Sequence, residues 1–322
     1  MSHALPVNLR YFHQVPPTPL VAVQLEDTLI PIWCKLEFLN PSGSTKDRIA
    51  RYILEKAWRR GELQGSQTVI EASSGSTSIA FALACAQMGL HFIAVMPEGV
   101  SNERSLMIRA FGGEVVLSPR ELGIRGAIAE TERIAREREG FLPRQFANKD
   151  NVEAHRFGTA REILDQLPGA TVDYVVSGVG TGGTLVGLYQ GLMERGCSVV
   201  PVVARPVTVH WEADVECCSF SASIPGVVDS VSTLFREAEF ENLITLEVGE
   251  REALETTRRL HRYGFPVGPS SGLNYAAARQ IAQQCEGQEV RIVTVFPDRM
   301  ERYFTTELFR ACSSGEEGEQ PC

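Results

Sequence analysis

One lysine and three small-residue loops carry most of the chemistry legible in this chain. The lysine is Lys46, in NPSGSTKDR (residues 40–48). It sits between a strand-like run, IWCKLEFL, and a helix-like run, IARYILEKAWRRG. With an ordinary pKa of about 10.4, a lysine amine is protonated at neutral pH and is a poor nucleophile. Desolvation, or condensation with an aldehyde, makes it a reactive group. Taken alone, Lys46 reads as a solvated charge at a helix start, so the other loops decide the matter.

The segment SGVGTGGT (177–184) follows the strand DYVV and opens the helix TLVGLYQGL. Glycines there let the backbone approach an anion, while unpaired N–H groups and the helix dipole supply positive potential. Gly178, Gly180 and Gly183 also satisfy G-x-G-x-x-G, a dinucleotide signature. A nicotinamide site wants an acidic ribose ligand after the next strand, and VVPVVA is followed instead by Arg205-Pro206. A phosphate cradle built from Gly180, Thr181, Gly182, Gly183 and Thr184 is the better reading.

EASSGSTSIA (71–80) places Ser73, Ser74, Ser76, Thr77 and Ser78 around Gly75 at a second strand–helix junction. One hydroxyl suffices for a helix cap, and five suit a carboxylate seat. VGPSSGLNYAAA (267–278) brings serines, Ser270 among them, to a third helix opening. By itself that run is indistinguishable from a cap. Together, an amine, a phosphate cradle and a carboxylate seat match the needs of pyridoxal phosphate acting on an amino acid.

The elements that position these loops alternate along the chain. Strand candidates PIWCKLEF, TVIEAS, HFIAVMP, EVVLS, DYVVSG, VVPVVA and VRIVTVFPD are interleaved with helical runs. Short β-rich runs between helices predict mostly parallel sheets covered by helices, in an α/β fold. Ligands then sit beyond the carboxyl ends of the strands, where loops 40–46, 72–78, 178–184 and 268–272 all fall. NKDN (148–151) reads as a loop, residues 205–240 as an irregular excursion, and residues 313–322 as a disordered acidic tail.

At 322 residues the chain is long for one core, and two lobes are expected. A formal charge of −9 argues against a nucleic-acid partner. No apolar run reaches the roughly 20 residues that span a bilayer, and no secretory leader is evident in MSHALPVNLRYFHQ, so no membrane partner and a cytoplasmic location are expected. The eight cysteines show no CxxC pair, and no metal is expected.

The motifs, in order, make the chain resemble the β-family (fold type II) of pyridoxal-phosphate enzymes, specifically the cysteine synthase and cystathionine β-synthase group. The likeness runs from about Thr18-Pro19-Leu20 to Glu301-Arg302-Tyr303. It implies two lobes, each a mostly parallel twisted sheet covered by helices. The larger, cofactor-binding lobe takes 1–39 and 153–322, and the smaller, mobile substrate lobe takes 40–152.

By the same likeness Lys46 is the Schiff-base lysine and the base for the substrate Cα proton, and Gly180–Thr184 hold the phosphate. Ser270 meets the pyridine nitrogen. Ser73, Ser74, Thr77 and Gln145 bind the substrate carboxylate, and Gly226, in IPGVV (224–228), stands at the site mouth. The family's T-S-G-N-T-G loop appears here as Ser73–Ser78, so Ser76 replaces the asparagine that meets the cofactor's 3′ oxygen. The implied activity is β-replacement on a β-substituted L-amino acid (O-acetylserine, phosphoserine, serine or cysteine) through an aminoacrylate, in a homodimer, with a small nucleophile as co-substrate. The alternatives are β-elimination as a cysteine desulfhydrase, an alanine-derivative synthase using an amine nucleophile, and an inactive scaffold paralogue.

Overall fold

The computed structural model describes residues 15–25, 30–65, 67–207 and 232–309. Nine strands among these residues form two sheets. β3 (Val69–Ala72), β4 (Phe92–Pro97) and β5 (Glu114–Ser118) make a parallel three-stranded sheet. The six-stranded sheet has the order β1-β2-β9-β6-β7-β8, from Leu20–Val23, Ile32–Lys35, Ile292–Val295, Tyr174–Ser177, Val200–Val207 and Ile244–Gly249. All its neighbours run parallel except the β1–β2 pair.

Helices cover both sheets. α1 (Lys46–Arg60), α2 (Ser76–Met88), α3 (Asn102–Ala110) and α4 (Gly123–Arg138) accompany the small sheet. Burial of every residue of β3 and β4 follows from this two-sided cover. The second set is α5 (Lys149–Glu153), α6 (Ala160–Gln166), α7 (Gly183–Met193), α8 (Glu250–Arg262) and α9 (Pro269–Gln284). Separate apolar clusters form on the two faces of the large sheet, one around Tyr275 and Phe296, the other around Leu185 and Val293.

Several expectations change. The NKDN run is mostly helix, because the Asn148 side chain accepts the Asp150 N–H at 2.9 Å and caps α5. The helix expected over 152–167 is interrupted by a π-helical segment, Ala154–Thr159. Arg205 and Pro206 lie within β7 rather than after it, paired with Glu247 and Val248 of β8. β1 and β8 have no counterpart in the sequence reading. The expected excursion lies outside the described residues between 208 and 231, as does the acidic tail.

Candidate active site

The loops after β3, β6, β7 and β9 meet the start of α1 around one cleft that is open to solvent. Of the residues singled out in the sequence, Lys46, Ser74, Ser76, Thr77, Gly180, Thr181, Gly182, Thr184 and Ser270 line it. Ser73, Gln145 and Gly183 stand behind its wall. Gly226 lies outside the described residues.

Lys46 is the first residue of α1, and the loop before it is built by Asp47. That carboxylate accepts the Ser42 N–H at 3.0 Å and the Ser42 hydroxyl at 2.6 Å. Gly43 has φ +84°, and a side chain there would strike Arg299 and Arg302. One residue past Asp47, Arg48 forms buried forks with Glu37 and Glu162, anchoring the helix start. The Lys46 amine has no hydrogen bond or ion pair among the described residues. Burial lowers its pKa to about 8, against the opposing pull of Asp298. A cation at a helix amino terminus also opposes the dipole, so the position is a poor one for a structural charge.

In the second loop the Ser73 hydroxyl turns inward. It meets the Ser78 hydroxyl at 2.7 Å and accepts the Gly75 and Ser78 N–H groups, which shapes the turn. Ser74 and Ser76 reach the cleft. Thr77 donates to Gln145 Oε1 at 2.7 Å, and Gln145 in turn donates to the Ala72 carbonyl. Gln145 is thus fixed under the loop that Ser74 and Thr77 present.

The third loop opens α7. Gly182 has φ +85°, and the N–H groups of Gly180, Thr181, Gly182 and Thr184 have no acceptor among the described residues. Four free donors at a helix amino terminus beside a half-buried, desolvated amine fit a phosphate-bearing cofactor. A Cβ on Gly183 would fall 1.9 Å from Asn151 Oδ1. This close approach lets Asn151 donate to Thr181 Oγ1 at 2.9 Å. The Thr184 hydroxyl lies against His155, whose pKa burial pushes down to about 3.

Four cleft-lining residues were missed. Asn274 of α9 accepts the Gly178 N–H at 2.6 Å and donates to Val295 O at 2.8 Å, tying the ends of β6 and β9 together. Asp298 accepts hydrogen bonds from the Ser76 hydroxyl (3.1 Å) and the Tyr303 hydroxyl (2.7 Å). Arg104, only 3% exposed, donates to Ser74 O at 3.0 Å and stacks on the Tyr303 ring. Arg104, Asp298 and Tyr303 lie outside the glycine- and serine-rich loops, and Asn274 lies inside the helix that GPSSG opens. Asp298 closes the strand run VRIVTVFPD, and Tyr303 belongs to the Glu301-Arg302-Tyr303 bound of the family likeness, but neither was given a role.

A half-buried, desolvated amine beside an anion cradle, at the carboxyl ends of strands in two mostly parallel sheets, defines the class, an enzyme built for a phosphorylated aldehyde cofactor. Residues 11–298 match the family described as "Pyridoxal-phosphate dependent enzyme", and the chain belongs to that family. It is 36% identical over 295 residues to a cysteine synthase of Staphylococcus aureus, covering 91% of this chain and 94% of that one. Cysteine synthase B of Campylobacter jejuni is 37% identical, with 91% and 95% covered. The solved O-ureido-L-serine synthase is 33% identical with a TM-score of 0.82, and 98% of each chain is covered. A hydrogen sulfide-producing enzyme of Fusobacterium nucleatum is 29% identical with a TM-score of 0.79, covering 91% of this chain and 98% of that one. The chain is therefore a pyridoxal-phosphate enzyme of the cysteine synthase family, performing β-replacement or β-elimination.

Proposed function

We propose that the chain performs β-replacement on a β-substituted L-amino acid, with Lys46 as the cofactor-bearing lysine. The observation that carries this is the Lys46 amine, unpaired and held at about 8, in one cleft with the free N–H groups of 180–184. When bound, pyridoxal phosphate supplies the aldehyde for the amine and the electron sink for charge at Cα. Gly180–Thr184 hold its phosphate, with Gly183 admitting Asn151 behind the loop. Ser270, at the start of α9, offers the ring nitrogen a neutral hydroxyl. Ser74 and Thr77, backed by Ser73 and Gln145, seat the substrate carboxylate, and Ser76 lies on the cofactor side of the same loop. Lys46, once displaced by the substrate amine, is the base that holds the Cα proton. A depressed pKa suits that task near neutral pH.

The smaller lobe is taken as 40–152 and the larger as 1–39 with 153–322. Movement of the smaller lobe would close loop 73–77 over the substrate. We further propose a homodimer in the cytoplasm. Among the described residues no helix is long and apolar enough to cross a membrane.

β-Elimination uses the same residues, and similarity to hydrogen sulfide-producing enzymes favours it as the second reading. The test mixes O-acetylserine, phosphoserine, serine or cysteine with sulfide, a thiol or an amine. A substituted alanine in excess of pyruvate is expected. Pyruvate alone, whatever the nucleophile, would replace this reading with elimination, and no turnover of any donor by yellow enzyme would overturn both.

A further inference from the structure

The foregoing reading gives no role to the acidic group of the cleft. Asp298 is 6% exposed, lines the cleft, and follows the last strand of the large sheet. Its backbone is pinned on two sides. Ser44 and Asp298 form an antiparallel bridge, and the Thr45 N–H donates to Pro297 O at 2.7 Å. On the other side the Gly268 N–H donates to Asp298 O at 2.9 Å. A side chain on Gly268 would come within 2.3 Å of Oδ1, so the glycine makes room for the carboxylate. The segment carrying Asp298 is therefore stitched to the loop that presents Lys46.

The carboxylate is as firmly held as its backbone. Oδ2 accepts from Tyr303 and Ser76, while Oδ1 has no partner and no cation lies within ion-pair distance among the described residues. A buried carboxylate without an ion-pair partner is costly. An asparagine would serve equally well if accepting two hydroxyls were all the position required. Burial and Asp298 keep the Tyr303 phenol well above its usual range, so it stays a donor.

We propose that Asp298 is a positioning residue for Lys46: a fixed anion, held by Tyr303 and Ser76, that stabilises positive charge on the Lys46 nitrogen. This deepens the reading of Lys46 as the cofactor-bearing lysine and rests on it. With pyridoxal phosphate bound, positive charge on the Lys46 nitrogen would favour its exchange for the amino group of an incoming substrate. The other charged or titratable groups around Lys46 do not supply this field. His155 is neutral, Arg48 is paired with Glu37 and Glu162, Asp47 is turned into the 42–44 loop, and Arg104 is itself a cation.

The test reads Lys46 directly. In cofactor-free enzyme, acetic anhydride labelling of the Lys46 peptide is followed against pH by mass spectrometry, with a wild-type midpoint near about 8. Asp298→Asn keeps an acceptor for both hydroxyls but removes the charge, and the midpoint should fall by roughly one pH unit. Tyr303→Phe and Ser76→Ala retain the charge and should move it much less. An unmoved midpoint in Asp298→Asn, or an equal shift in Tyr303→Phe, would overturn the proposal. Should Asp298→Asn fail to fold, Asp298→Ser removes the same charge with less volume and is read in the same way. Adding pyridoxal phosphate separates the two claims. Wild type that gains no visible band refutes the cofactor role of Lys46, while the labelling still judges Asp298.

Discussion

Thr184 Oγ1 stands 3.2 Å from Nε2 of His155, whose Nδ1 lies 2.9 Å from Thr159 Oγ1. The imidazole thus bridges the π-helical segment and the loop that opens α7. Burial holds it neutral, so one nitrogen donates and the other accepts, and the ring orients the Thr184 hydroxyl without adding charge. His155→Phe keeps the ring volume and removes both contacts. Affinity for pyridoxal phosphate should fall by about tenfold, the scale of one hydrogen bond, as read by absorbance titration. Unchanged affinity would mean that Thr184 needs no such guide.

Arg48 concerns stability before chemistry. Its guanidinium binds Glu37 and Glu162 at once, with Thr18 and Lys35 in the same buried group. Arg48→Ala leaves Glu37 buried without its principal cation, and a loss of about 3–5 kcal/mol is expected in urea denaturation. Arg48→Lys should recover only part of this, because a single ammonium cannot fork to two carboxylates.

Lys46 presents the opposite case. Its amine makes no bond within the described protein, loses solvation, and faces the positive end of α1. A lysine whose folded pKa lies below its unfolded one gives full stability above about 10.5 and loses it as pH falls through about 8. At pH 7 the charged form therefore weakens the fold. Cofactor-free Lys46→Ala should melt at the same temperature or slightly higher, while gaining no visible band with pyridoxal phosphate. A lower melting point in calorimetry would show that the amine has a structural partner.

The same contrast explains how much could be read from the sequence. NPSGSTK, SSGST, GTGGT and GPSSG were legible because glycine and hydroxyl residues at strand–helix junctions have a local physical meaning. The alternation of strands and helices carried the α/β fold for the same reason. What escaped depends on distant pairings. Asp298 matters because it bridges to Ser44, and Asn274 because it meets Gly178, 96 positions away. β1 (LVAV), at one edge of the large sheet, is four residues without alternation, and pairing with β2 makes it a strand, whereas β8 (ITLEVG), at the other edge, alternates apolar and polar residues and carried a local signal that the sequence reading passed over. Ser73 and Gln145 were read as facing the substrate. Their hydrogen bonds to Ser78, Thr77 and Ala72 give them a supporting geometry that the motif alone could not distinguish.

Glu71, at the heart of β3, supplies the last prediction. Its carboxylate accepts the N–H groups of Ala72 and Gln145, yet burial outweighs these bonds and raises its pKa to about 7. The folded state holds this proton more tightly than the unfolded chain, whose value is near 4.5. The contribution is therefore complete below about 4.5 and declines as pH rises through about 7, by on the order of 3 kcal/mol in all. His155 runs the other way. Its depressed pKa gives stability that is present above about 6.5 and is lost as pH falls toward about 3. Across pH 4.5 to 6.5 the two slopes oppose each other, so the wild type should show a shallow profile in urea midpoints. Glu71→Gln removes one slope and should expose the other, giving a protein that gains stability steadily with pH over that window. If Glu71→Gln instead keeps the wild-type profile, Glu71 titrates near its ordinary value and the β3 carboxylate is better solvated than its burial implies.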